Sequence, residues 1–342
     1  VAEDSPVREW LPRTAALLVG TLILASAFIA AYVGALHAPN PRDIPVGVVR
    51  GDQAAQTLLA AVRQHTDTIK AISYADPAAA EAALNGRDVY ATLATAGDGA
   101  LALTLASASA PAATDVVQRV ITTAGQQAGV RIQVTDQVPV SPEDPRGLAP
   151  FYLAIGFVLG GYLASTVLGI SLGTAPAGLR GAGLRIAALA VHAVLLGIAG
   201  AVLVGPVLGV WHDHVLAIAG VGALAAFAAT MVAAAVQGWL GLFGTGLVIL
   251  LLVVLGNPGS GGVYAPEFLP SALRGMHRWN VPGLATDLVK SAVYFDGRAI
   301  RWPLTGLVIW VAAGIVGLIT ATLVRGRHVV GSPGRHRSPD QH

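Results

Sequence analysis

Long apolar runs interrupted by one mixed stretch dominate this chain, and their spacing predicts most of its architecture. About 20 consecutive apolar residues are needed to cross a hydrocarbon core about 30 Å thick. Six segments are long enough, at roughly 14–36, 150–172, 186–209, 215–236, 238–256 and 303–324. Arg8 and Arg13 precede the first, and "ASA" (25–27) resembles a signal-peptidase site. Its apolar run exceeds the ~7–15 residues of a signal core, so an uncleaved anchor is expected.

Residues 37–149 have a different rhythm. "IPVGVV" reads as a strand and "AAQTLLAAV" as a helix. Asp76-Pro77 supplies an N-cap and first-turn pair for a second helix closing at Gly86. "DVYATLAT" and "LALTLAS" read as strands, 112–128 as a helix ended by Gly129, and "VRIQVTDQV" as a last strand. A βαβ-rich unit of this size can bury its own core. The expected fold class is therefore an α-helical integral membrane protein of six transmembrane helices, with an extracytoplasmic α/β domain between helices 1 and 2. Residues 1–13 form a cytoplasmic N-terminal segment, 150–324 a five-helix membrane domain, and the polar, Pro/Gly-rich residues 325–342 a disordered cytoplasmic tail.

Composition agrees. Apolar residues make up 54% of the 342 and charged residues 12%, against roughly 25% charged in soluble domains, and the mean hydropathy is +0.65. The absence of cysteine excludes disulfides and thiolate metal sites. A net charge of +2 gives no reason to expect nucleic acid. Only two of the 21 basic residues are lysines, Lys70 and Lys290.

Orientation follows from arginine and lysine in the short loops. With a cytoplasmic N-terminus, the inner segments hold Arg8, Arg13, Arg180, Arg185, Arg325, Arg327, Arg335 and Arg337, and an even number of spans returns the C-terminus to that side. The outer segment 257–302 dissents, with Arg274, Arg278, Lys290, Arg298 and Arg301. Trp10, Trp211, Trp239 and Trp302 fall near span ends, where amphipathic rings prefer the interface. This places the chain in a bacterial cytoplasmic membrane, multi-pass, with both termini inside.

The glycine-rich "GNPGSGG" (256–262) invites a phosphate-cradle reading. A P-loop requires a lysine and a hydroxyl residue after its last glycine, and here Gly262 stands where lysine should be. The run instead reads as a membrane-exit elbow, in which Asn257 and Ser260 satisfy freed backbone groups. No cofactor is expected. His192 is the clearest ionisable residue within a span and is expected to pair with a neighbouring helix; carriers driven by protons or sodium need more than this. "WHDH" (211–214) reads as a solvated turn rather than a metal site, since no further ligand cluster supports it. No catalytic grouping is visible, and the protein is not expected to be an enzyme.

Two amphipathic helical patterns follow the elbow. Phe268, Ala272 and Met276 repeat every four residues, with Glu267, Ser271, Arg274 and Arg278 opposite. Beyond a break at Pro282-Gly283, Leu284, Leu288, Ala292 and Phe295 line one face, and Thr286, Asp287, Lys290 and Ser291 the other. Such helices would lie in or dip into the outer interface. Asn257, Pro258, Gly261, Gly262, Pro266, Pro270, Pro282 and Gly283 are the residues expected to shape this elbow and outer gate. Glycine pairs 156/160, 169/173 and 205/209 offer small-xxx-small spacing for close helix contact.

Three stretches resemble the YhgE/Pip (phage-infection-protein) membrane family of the ABC-2-type permease superfamily: "NPGSGGVYAPEFLPSALRGMHRWNVPGLATDLVKSAVYFDG", "HAPNPRDIPVGVVRGD" (37–52) and "DPRGLAPFYLAIGFVLGGYLAS" (144–165). The resemblance covers nearly the whole chain. It implies a permease half without an ATPase of its own, a homodimer or paired with a second permease half, and driven by a separate cytoplasmic ATP-binding subunit. The cargo would be a hydrophobic or amphipathic compound moved outward, and the surrounding partner is membrane lipid. The loop 173–185, with Arg180 and Arg185, and the N-terminal "SPVREWLPR" are the expected docking places for the ATPase. The competing reading is a non-transporting scaffold or accessory protein of envelope assembly or protein secretion.

Overall fold

A computed structural model describes residues 5–241 and 243–325, with side chains from residue 14 onward. Arg327, Arg335, Arg337, the polar tail and the side chains of Arg8, Trp10 and Arg13 lie outside the described residues. The first helix, α1 (Ser5–Leu36), packs sparsely: its apolar stretch is almost wholly exposed, and Tyr32 near its end accepts a hydrogen bond from Asn257 Nδ2 at 3.0 Å.

An α/β unit follows, comprising β1 (Ile44–Val49), α2 (Gln53–His65), β2 (Ile69–Tyr74), α3 (Pro77–Asn85), β3 (Ala91–Thr95), β4 (Leu101–Leu105), α4 (Pro111–Ala128) and β5 (Ile132–Asp136). The five strands lie in the order β2-β1-β3-β4-β5, all pairs parallel except the β3–β4 hairpin. Strand β2 is additional to the elements expected from sequence. In "IKAISY" apolar side chains occupy both parities: Ile69 and Ala71 join the core under α2 and α4, whereas Ile72 and Tyr74 join a second cluster with Ala83 and Leu84 of α3. Neither face alternates cleanly, so the period-two signal is lost. The cap expected at Asp76 forms, accepting the backbone N–H of Ala79, and Asp52 caps α2 in the same way by accepting that of Ala55.

This unit does not close its core alone. Ala265 and Phe268 complete the cluster under α2 and α4, and Phe295 completes the one under α3. Residues some 120 positions beyond the domain therefore finish both faces, an arrangement that a reading of 37–149 as a self-contained domain does not provide.

The remainder is helical: α5 (Ala149–Leu172), α6 (Gly178–Val202), α7 (Val215–Leu240), α8 (Phe243–Ile249), α9 (Ser271–His277), α10 (Val281–Tyr294) and α11 (Arg301–Arg325). Five helices, counting α1, are long and apolar enough to cross a membrane, the mark of a multi-pass membrane protein. The segment expected to be a fifth full span, 238–256, is divided. Its first residues belong to α7, and only Phe243–Leu255 forms a separate apolar helix. Thirteen residues at 1.5 Å rise cover about 20 Å, short of a hydrocarbon core of about 30 Å. Its second half, Leu250–Leu255, is a wide π-helical turn, and Pro258 follows Val254 by four residues, where its ring opposes that carbonyl.

Helix α7 is the centre of the bundle, buried along most of its alanine-rich length between α5, α6 and α11. Glycine makes these crossings possible, mostly at positions outside the expected pairs, of which Gly160 meets Leu196 of α6 and Gly205 meets Val215. A Cβ on Gly161 would strike Ala226 O, one on Gly197 would strike Ala219 O, and one on Gly314 would strike Met231, whereas Gly156 and Gly173 face open space. Without a solvent-driven hydrophobic effect in lipid, close backbone approach is a main source of helix association. His192 is exposed on the outward face of α6 rather than paired to a neighbouring helix. Residues 212–214 form a 3-10 turn with His212 and Asp213 exposed.

Candidate functional site

The segment 257–294 organises a buried polar region where the helix bundle meets the α/β unit. All of Gly256–Gly262 is buried, so the glycine run is an internal elbow with no room for a nucleotide. Pro258 starts a single 3-10 turn, and Gly261 follows it in the left-handed region at φ +70°. Gly262 does not share that conformation; its constraint is contact, since a Cβ there would run into the Phe151 ring. Ser260 Oγ donates to Asn257 O at 2.7 Å and accepts from Gly262 N at 3.2 Å, closing the elbow on itself. Asn257 instead turns its side chain to Tyr32, tying the elbow to α1.

Pro266 opens a second 3-10 turn and Pro270 precedes α9. The expected break at Pro282-Gly283 lies earlier, at residues 278–280. Asn280 caps α10 by accepting from Gly283 N, so Pro282 and Gly283 sit inside its first turn, where a missing N–H costs nothing. Helix α10 is not interfacial. Leu284, Ala285, Leu288 and Val289 are buried in the bundle, and Thr286, Lys290 and Ser291 on the opposite side are buried as well. The α/β unit covers that polar side.

The covering contact centres on Asp287. Arg87 Nη2 meets its Oδ1 at 2.7 Å, and His277 Nε2 meets its Oδ2 at 3.1 Å. Arg87 Nη1 donates to Asp287 O at 3.0 Å and to Ser291 Oγ at 3.3 Å. His277 Nδ1 lies 2.8 Å from Ser260 O. Both ring nitrogens thus face acceptors. Burial by itself would push the Asp287 carboxyl up, but the Arg87 guanidinium and the His277 ring hold it well below the usual carboxylate range. Arg87 occupies φ +61° just after Gly86, a left-handed conformation that costs a non-glycine residue roughly 1–2 kcal/mol and aims its side chain at α10.

Two further buried pairs flank this one. Tyr90 donates to Glu267 Oε2 at 2.9 Å, and burial pushes the Glu267 carboxyl up. Lys290 donates to Ser109 O at 2.8 Å, and burial pulls its ammonium down to about 8. Unfolded lysine keeps its proton to about pH 10.4, so above pH 8 the unfolded state binds more protons and stability rises with pH. The burial penalty is fully present below about pH 8. Buried tyrosines such as Tyr294, held up to about 12, reverse the trend above pH 10. The apparent Tm of the detergent-purified protein is therefore expected to climb between pH 8 and 9.5, and to lose that climb in Lys290→Met. An identical slope in the variant would exclude Lys290 as its source.

The two arginines expected to dock a partner have different settings. Residues 178–185 form the first turns of α6 rather than a loop. Arg180 is exposed there, but Arg185 is buried and donates to the carbonyls of Gly173 and Thr174, closing the C-terminal end of α5. Asp287 and Lys290 appeared in the sequence only as the polar side of an amphipathic helix. Arg87 gave no signal, because its partner lies 200 positions away. Among the described residues, no grouping of histidine, aspartate and glutamate could hold a metal ion. Compared with known proteins, the chain matches no family model, no curated protein and no solved structure.

Proposed function

We propose that this chain is the membrane half of an ABC-type exporter, moving a hydrophobic or amphipathic compound outward under the drive of a separate ATPase subunit. The observation that supports this best is the setting of α10. It is wedged in the bundle against α5, α7 and α11 and fastened on its polar side to the α/β unit by Arg87–Asp287. A shift of the bundle helices would thus move the external unit, as a permease with an outer gate requires. The YhgE/Pip resemblance supplies the ABC-2-type assignment, and the arginine distribution the outside position of residues 37–149. A paired second copy would cover His192, whose outward position is costly against lipid.

A non-transporting scaffold is the second reading. An open groove of about 500 Å³ between α2 and α4, lined by Leu58, Val62, Val120 and Ala124, favours it, because it gives the external unit an apolar surface for a partner.

Arg180 tests both readings. In the cysteine-free chain, Arg180→Cys is expected to resist an impermeant thiol reagent in intact cells, while Gly97→Cys on an exposed turn reacts. (Ala100 nearby is buried and would not report.) The wild-type protein should co-purify with a nucleotide-binding subunit, and Arg180→Glu should lose it while inserting normally. Labelling of Arg180→Cys from outside would overturn the orientation, and purification from native membranes without any ATPase would favour the scaffold.

A further inference from the structure

Between the α/β unit and the start of α11 lies a cavity of about 420 Å³ that the Arg87–Asp287 contact leaves open on one side, a size typical of small-ligand sites. Arg87, Arg274 and Arg278 all line it. Arg274 donates only to the carbonyls of Pro266 and Glu267, and Arg278 lies over the Trp302 ring; neither has a carboxylate partner among the described residues. The acidic side chains of the wall are largely spent. Asp287 is held by Arg87 and His277, and Glu267 by the Tyr90 hydroxyl. Asp88 alone remains at the exposed rim, opposing an anion. Two buried polar atoms of the lining, Ser109 Oγ and Arg87 Nε, have no hydrogen-bond partner, and such groups in a native interior call for one.

The height of the cavity narrows the ligand further. Trp302 opens α11 and donates to Arg278 O at 2.9 Å, Trp310 donates to Trp279 O at 2.7 Å, and Trp279 packs edge-on against Trp302. Tryptophans gathered at the end of a span mark the headgroup level of a bilayer. Directly beyond it, Leu304 and Val308 expose the apolar flank of α11.

We infer that this cavity binds an anionic phosphate ester, with its phosphate on Arg274, Arg278 and the Arg87–Ser109 pair. Membrane glycerophospholipid and soluble glycerol phosphate share that chemistry, and the exposed flank of α11 would take the acyl chains of the former. The site stands independently of whether the protein transports anything.

Native mass spectrometry of the full detergent-purified chain tests it with three probes: dioctanoyl phosphatidylglycerol, dioctanoyl phosphatidylcholine and glycerol phosphate. Both lipids carry the phosphodiester, but the choline ammonium of the zwitterionic one would face the Arg87, Arg274 and Arg278 guanidiniums, so the anionic lipid is expected to bind about ten-fold or more tightly. Glycerol phosphate binding as well as the lipid would identify the soluble ester as the ligand, and binding only with acyl chains would identify the lipid. Arg274→Gln/Arg278→Gln should abolish the preference. Asp88→Asn, which removes the opposing charge without touching a contact, should strengthen it. Equal binding of the two lipids, or a preference unchanged in both variants, overturns the site.

Discussion

Asp287→Ala is expected to lower stability by roughly 3–5 kcal/mol. The loss comes from what remains. Arg87 and His277 lose the carboxylate that both contact, and Lys290, buried and already pulled down by desolvation, loses its nearest counter-charge. Truncating one member of a buried pair leaves the other uncompensated in a region that cannot solvate it. Replacing both partners, as in Arg87→Met/Asp287→Leu, should recover much of the loss, because an apolar pair of similar volume avoids the desolvation cost. Thermal unfolding of detergent-purified variants checks this. A double variant less stable than Asp287→Ala would show that the pair is additive with its surroundings rather than a closed unit. Acid should mimic the single variant: since the folded carboxyl titrates below its unfolded value, its contribution is present above about pH 4 and lost as pH falls further.

The elbow gives the second large effect. Gly261→Val/Gly262→Val is expected to cost about 2–5 kcal/mol, from two separate causes. At Gly261 a side chain is strained by φ +70° and would meet His277 Nδ1 at 2.8 Å, pushing the ring off Ser260 and Asp287. At Gly262 it would overlap Phe151, fixed at the start of α5. Ser260→Ala removes two hydrogen bonds without a steric clash and should cost about 1–2 kcal/mol. If transport is the activity, the glycine variant should lose it and the serine variant retain most of it. Equal losses in the two would mean that Ser260, not backbone freedom, sets the elbow.

Both predictions depend on contacts that differ in how far they could be foreseen. Apolar run length determined the long helices, because crossing a bilayer requires about 20 apolar residues whatever their neighbours. Capping chemistry determined the bounds of two of the α/β helices, since Asp76, Gly86 and Gly129 act on groups within a few residues. Gly261 and Gly262 were both legible as shaping the elbow, but that only Gly261 takes a positive φ was not. Tertiary structure alone decided the rest. The short Phe243–Leu255 helix reads in sequence as a continuous span with the end of α7, because Gly241, which turns the chain at φ +65°, is one of many glycines in apolar runs. Strand β2 is hidden because its apolar side chains fall on both faces and join two different clusters. The polar side of α10 looked solvent-facing because an amphipathic pattern shows that two faces differ, not what covers each one. Arg185 read as a free docking charge until the carbonyls at the end of α5 were placed around it. Arg87, Asp287 and His277 became a site only when the fold joined residues some 200 positions apart, and no local periodicity encodes that meeting.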